Sequence, residues 1–149
     1  MFEFTEQEEL RDAEHVENIL TEYRKMSFKA AIDDFGAGFA GLGLLARFQT
    51  DIVKLDMELV RNFDKSPSRQ AIVEGIMTMS RLMKFKVLTE GVETEAEVAA
   101  LLRTGVALFQ GYLFAWPQVE TFIGEADIPA LADGFSGFGH AAPEHIKVA

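Results

Sequence analysis

Short apolar runs alternate along this chain with stretches of helical periodicity. The runs are Met1 to Thr5, Phe28 to Asp33, Ile52 to Asp56, Phe85 to Thr89 and Val106 to Phe109. Each has the length of a strand, and the segments between them have the length of a helix. A helix between consecutive strands carries the chain back to the same end of the sheet. The alternation therefore predicts an α/β fold with a parallel sheet. With 149 residues, 48% of them hydrophobic, the chain can build a real core and is not of the disordered class.

Capping signals place the helices. Thr5 with Glu8 forms a capping box ahead of Leu10, Ala13, Val16, Ile19, Leu20 and Tyr23, which recur at helical spacing. A second helix is expected over roughly 40–48. Ser66-Pro67 opens a third, whose apolar stripe is read as Ile72, Ile76, Met79 and Met83. Thr94 with Glu97 is another capping box, starting a helix that ends near Arg103 with Gly105 as its exit. One more short helix is expected near Ile128 to Ala132. The folded domain is expected over 1–133, with the Gly- and Ala-rich segment 134–149 as a loose tail.

Each predicted strand ends in, or carries near its end, a side chain able to bind metal or polarise water. These are Glu3, Asp33 with Asp34, Lys54 with Asp56, Glu90 and Gln110. In a parallel α/β barrel all strand C-termini open on one face, where active sites form. Singly, each has a plain explanation: a solvated strand-end acid, or a lysine that snorkels from a core edge. Asp33-Asp34-Phe35-Gly36-Ala37-Gly38 suits a polar strand-to-helix turn as well as a cradle for divalent cations. The joint pattern favours a site. The net charge of −10 argues against a nucleic-acid polymer as partner and implies that an anionic ligand would be held through metal ions. The chain has no cysteine, no signal-peptide pattern at Met1-Phe2-Glu3-Phe4 and no apolar run of membrane-spanning length; a cytoplasmic location is expected.

Residues 1 to 117 resemble the C-terminal part of an EAL domain, the bacterial family that hydrolyses cyclic di-GMP. The resemblance rests on Glu3-Phe4-Thr5-Glu6, Asp33-Asp34-Phe35-Gly36-Ala37-Gly38, Lys54-Leu55-Asp56, Glu90-Gly91-Val92-Glu93-Thr94 and Gln110-Gly111-Tyr112-Leu113, in that order. The segments Leu55 to Val60 and Ser66 to Ile72 are most similar to EAL domains joined to BLUF blue-light sensors. The resemblance implies a TIM-type (β/α) barrel, incomplete here because it lacks its N-terminal strands. It implies two Mg²⁺ or Mn²⁺ ions, with Glu3 and Asp33 as ligands of the first and Asp33, Asp34 and Glu90 as ligands of the second. Such a pair, about 3.5–4 Å apart, clamps a phosphodiester and activates the attacking water. Lys54 would orient that water, Glu90 would be the general base, and Asp56 and Gln110 would complete the polar shell. Glu6 would anchor the loop Phe35, Gly36, Ala37, Gly38 and Phe39, which the family uses to link its dimer state to metal binding.

The pattern departs from the family in places. The Glu-Ala-Leu motif and a later Asn ligand are absent and are expected upstream of Met1. Phe39, Ala40 and Gly41 stand where the family commonly has Tyr and a Ser pair. A complete barrel of this kind has about 250 residues. Residues 1–149 alone are therefore expected to be a poor enzyme that self-associates through open sheet edges. A metal-dependent cyclic di-GMP phosphodiesterase is the first expectation, with the presence of a sensor domain in its parent protein left open. A non-catalytic module that binds the nucleotide or a protein partner is the second, and an unrelated divalent-metal barrel enzyme the third.

Overall fold

The structure, a computed structural model, describes residues 1–5, 13–38, 41–114 and 147–148. Strands β1 (Phe2–Thr5), β2 (Ala30–Phe35), β3 (Ile52–Leu55), β4 (Lys86–Thr89), β5 (Leu108–Phe109) and β6 (Lys147–Val148) form one sheet in sequential order, every pair parallel. Helices α1 (Ala13–Lys25), α2 (Gly41–Arg47), α3 (Met57–Val60), α4 (Pro67–Met83) and α5 (Glu95–Thr104) fall between the strands. Strand order never reverses, so the sheet has no switch point of the doubly wound kind. It is the singly wound arrangement of a barrel segment, with β1 and β6 as its edges.

The core lies between sheet and helices. Val53 and Leu55 of β3 are fully buried, as are Val73 of α4, Leu101 of α5 and Phe63 of the short 3₁₀ turn Phe63–Lys65. Full burial of each such side chain contributes about 1.5–3 kcal/mol. The capping chemistry of α5 follows the sequence: Thr94 accepts from Glu97 N, Glu97 returns the bond to Thr94 N, and Gly105 closes the helix at φ 96°.

Several expectations shift. β2 starts at Ala30 and runs to Phe35, because a turn through Ser27 and Phe28 (Phe28 N to Tyr23 O, 3.0 Å) completes the exit from α1. Phe35 is a buried strand residue, not the first residue of a loop. The buried face of α4 is Val73, Ile76, Met77 and Ser80, while Ile72 and Met83 are 50% and 42% exposed. Ile72 and Val73 are equally apolar, so hydrophobicity could not choose between neighbouring faces. Ser80 joins the buried face by donating to Met77 O at 2.9 Å. α3 was not anticipated. Lys147–Val148 pairs with β5 inside the segment expected to be loose. The expected helix near Ile128 to Ala132 and the Thr5–Glu8 capping box lie outside the described residues, as do Glu6 and Phe39.

At the opposite end from the strand-end acids, Asp51 ties three strands together. Its carboxylate accepts from Ala30 N (2.9 Å) and pairs with exposed Lys29 (3.2 Å). Its backbone N–H donates to Ala30 O and its carbonyl accepts from Lys86 N. Burial pushes the carboxyl pKa up. The Ala30 hydrogen bond and the Lys29 charge outweigh that and hold it below its usual 3.8. Asp51→Ala is expected to cost about 1.5 kcal/mol of stability, the low end for a hydrogen bond to a charged group. Because the folded pKa is depressed, the wild-type advantage is complete well above pH 3.8 and fades as pH falls through the folded value. Urea titrations of both proteins across that range measure it.

Candidate active site

Lys54 stands at the centre of the acidic end of the sheet. It lies in β3 between Val53 and Leu55, and is only 8% exposed itself. A buried lysine needs partners, and three strand ends supply them. Its Nζ lies 2.8 Å from Glu90 Oε1, 2.9 Å from Asp33 Oδ1 and 3.5 Å from Glu3 Oε2. The acids come from beyond β4, from β2 and from β1. Burial alone would lower the lysine pKa. Hydrogen bonds and attraction from Glu90 and Asp33 reverse that, and the ammonium is held well above its usual range.

Two adjacent residues of a regular strand point to opposite faces. β2 escapes this rule by a register shift between Ile32 and Phe35, with Asp34 at φ 53° in the left-handed region. A bulge of this kind re-aims a side chain at a strand end. Asp34 N donates to Asp33 Oδ1 at 3.1 Å, and Ala37 N closes the turn on Asp34 O. One oxygen each from Asp33, Asp34 and Glu90 then lie within 4.8 Å of one another. Three hard oxygen donors around one point suit Mg²⁺ or Mn²⁺, and Glu3, 3.5 Å from Lys54 Nζ, is a further carboxylate at this end of the sheet.

The structure thus brings together Glu3, Asp33, Asp34, Lys54 and Glu90. Asp56 is otherwise engaged, because its carboxylate caps α3 and accepts from Glu58 N at 2.7 Å. The β3 alternation had placed Asp56 beside Lys54, but the strand ends at Leu55 and the chain turns into the helix. Gln110 is exposed, and its backbone bridges Thr89 O and Val92 N. Gly36, Ala37 and Gly38 form the turn after β2. Sequence reasoning missed Glu97 as more than a cap. It is 5% exposed and accepts from Asn62 N (2.8 Å), Glu93 N and Thr94 N (both 3.1 Å), tying the end of α3 to the loop that follows Glu90. An acid at the third position of a capping box reads locally, so its longer contact had no signal.

Residues 1–117 match the sequence profile described as the EAL domain. The chain is 41% identical over 130 residues to the blue light- and temperature-regulated antirepressor BluF of Escherichia coli K12, covering 87% of this chain and 31% of that protein. It is 35% identical over 116 residues to the cyclic di-GMP phosphodiesterase PdeR of the same organism, covering 78% and 18%. The Klebsiella pneumoniae BlrP1 manganese/cyclic di-GMP complex superposes with a TM-score of 0.72 at 43% identity, covering 77% of this chain and 29% of that one. The chain spans about a third or less of the length of these proteins.

Replacing Lys54 by Met would leave its carboxylates without their shared cation. Lys54→Met is expected to lower the unfolding free energy by about 2–3 kcal/mol, below the range for a fully buried pair because the acids are partly solvated. The folded pKa of Lys54 is raised, so the deficit relative to wild type is complete below 10.5, the ordinary value, and narrows as pH climbs toward the folded value. Denaturant titrations at pH 7, 9 and 11, run as about two-unit steps across the linkage window, read the trend.

Proposed function

The chain belongs to the EAL-domain family, and on that premise we propose that it supplies half of the catalytic face of a metal-dependent cyclic di-GMP phosphodiesterase. The observation that carries the proposal is the convergence of Asp33, Asp34 and Glu90 within 4.8 Å, with buried Lys54 bonded to two of them. A protein that only needed the fold would gain nothing from concentrating acids around a buried lysine. The names of PdeR and of the BlrP1 complex support the substrate, and the manganese in the latter supports the ion.

Asp33, Asp34 and Glu90, with Glu3, are the residues that would hold two divalent ions. When bound, the ions neutralise phosphate charge and make water a competent nucleophile at neutral pH. Lys54 keeps the carboxylates from repelling one another and directs an N–H toward the water site. Glu90 takes the water proton. The water oxygen bonds to phosphorus, the P–O bond to the ribose 3′ oxygen breaks, and that oxygen leaves as a hydroxyl with a proton from solvent, to which Glu90 gives up the one it took. The product is the linear dinucleotide pGpG. In this proposal Gln110 contributes to the polar shell of the site, while Asp56 serves it indirectly by capping α3. The protein carrying this chain is proposed to work in the cytoplasm, as a dimer and under a sensor domain such as BLUF. Among the described residues no helix is long and apolar enough to cross a membrane.

A second reading has its own support, since BluF is named an antirepressor. In that reading the domain engages a protein partner and turns over no nucleotide. Cyclic di-GMP hydrolysis by the parent protein in Mg²⁺ or Mn²⁺ separates the two. Turnover is expected, and Asp33→Asn should reduce it about 100-fold or more, the scale of losing one electrostatic contact to a reacting centre. Nucleotide or partner binding with no turnover would establish the second reading. Ca²⁺ is expected to inhibit, because it prefers longer bonds and more ligands than Mg²⁺ or Mn²⁺.

A further inference from the structure

α3 has four residues, yet it touches both loops that present the acids. On one side Leu59 lies against the backbone of Gly36, so close that a Cβ on that glycine would overlap Leu59 Cδ1. On the other side Met57 lies against Gly91, where a Cβ would stand 2.7 Å from Met57 Cβ. Both glycines have positive φ, 103° and 68°, so neither conformation nor space admits a side chain. Gly36 closes the turn that holds Asp33 and Asp34, and Gly91 follows Glu90 directly.

The residues leading into α3 join the same two loops through the backbone. Asp56 N donates to Phe35 O, and Glu90 N donates to Leu55 O, each at 3.1 Å. The helix is fixed at both ends. Asp56 caps its start, Arg61 N returns to Met57 O at 2.9 Å, and Asn62 N is held by buried Glu97. Glu97 also grips Glu93 N and Thr94 N, so the loop after Glu90 and the end of α3 share one carboxylate. A shift of α3 would therefore move both loops.

We propose that α3 is a spacer that sets the separation between the Asp33–Asp34 pair and Glu90, with Leu59 and Met57 as its positioning residues. Neither side chain touches the reacting atoms. Leu59 holds one glycine loop at its distance and Met57 holds the other. Simple packing would make each residue matter only to the loop it touches. A spacer makes each matter to both.

The test has two arms, and only one rests on the metal-binding reading. In the first, amide hydrogen exchange is measured on the chain as Leu59→Ala and as Met57→Ala. Leu59→Ala, made on the Gly36 side, should quicken exchange at Glu90 N about tenfold, and Met57→Ala should do the same at Ala37 N, the opening of one local unit exposing the other. Lys84 N, bonded to Ser80 O at the far end of α4, should be unchanged. If each variant loosens only its own loop, the spacer is overturned. In the second arm, Mn²⁺ alone is titrated and followed by its electron paramagnetic resonance signal. Leu59→Ala should weaken binding about tenfold, as supporting residues around metal ligands do, with Leu59→Met restoring it. Wild-type affinity in Leu59→Ala also overturns the proposal. If wild type binds no Mn²⁺, the metal reading fails and the exchange arm decides the spacer by itself. Leu59→Val replaces Leu59→Ala should the latter fail to fold.

Discussion

An ammonium buried in a parallel sheet has to be surrounded by charge or not be there at all. Lys54 meets that demand by drawing carboxylates from three other strand ends, and the acids in turn depend on it. Without the lysine, Glu3, Asp33 and Glu90 would crowd like charges at the mouth of the sheet. Without the acids, a lysine flanked by Val53 and Leu55 would be neutral or extruded. The site is a mutual arrangement, and each of its members is placed by a different strand-to-helix crossover. The fold and the chemistry are consequently hard to separate at this end. At the other end the polar contacts of Asp51 serve only to keep strands together, which matches the division of labour between the two faces of such barrels.

The sequence was most legible where one residue type has one physical use. Runs of strand length ending in acids announced the sheet and its parallel order. Thr94, Glu97 and Gly105 announced both ends of α5, and the structure keeps all three. Convergence of Glu3, Asp33, Lys54 and Glu90 followed from parallel topology, since every strand has to end on the same face, whereas Asp34 joins them only through the register shift in β2.

Legibility failed where neighbours compete on equal terms or where a contact spans the fold. The buried stripe of α4 slipped by one position because Ile72 and Val73 are interchangeable by hydrophobicity, and only packing against sheet and α5 decides. α3 was invisible because four residues carry too little periodicity to register, although its cap at Asp56 has an ordinary N-cap residue type. Asp56 was misplaced for the same reason: alternation was extended one residue past the strand. Glu97 was half understood. Its cap is local and was visible, whereas its bond to Asn62 spans 35 residues.

The bulge in β2 has a consequence for how such a site can be lost. Asp33 and Asp34 share one destination only because the strand carries a register shift there. Composition does not encode that sharing; spacing does. A one-residue deletion between Ile32 and Phe35 would restore a regular ladder and send whatever carboxylate remained to one face or the other by parity. A family scan weighing residue identity would still score the motif well, while the paired donors would be gone. Such a deletion removes one carboxylate and also resets the direction of the other, so a single strand can end the pairing while Glu3, Lys54 and Glu90 stay where they are.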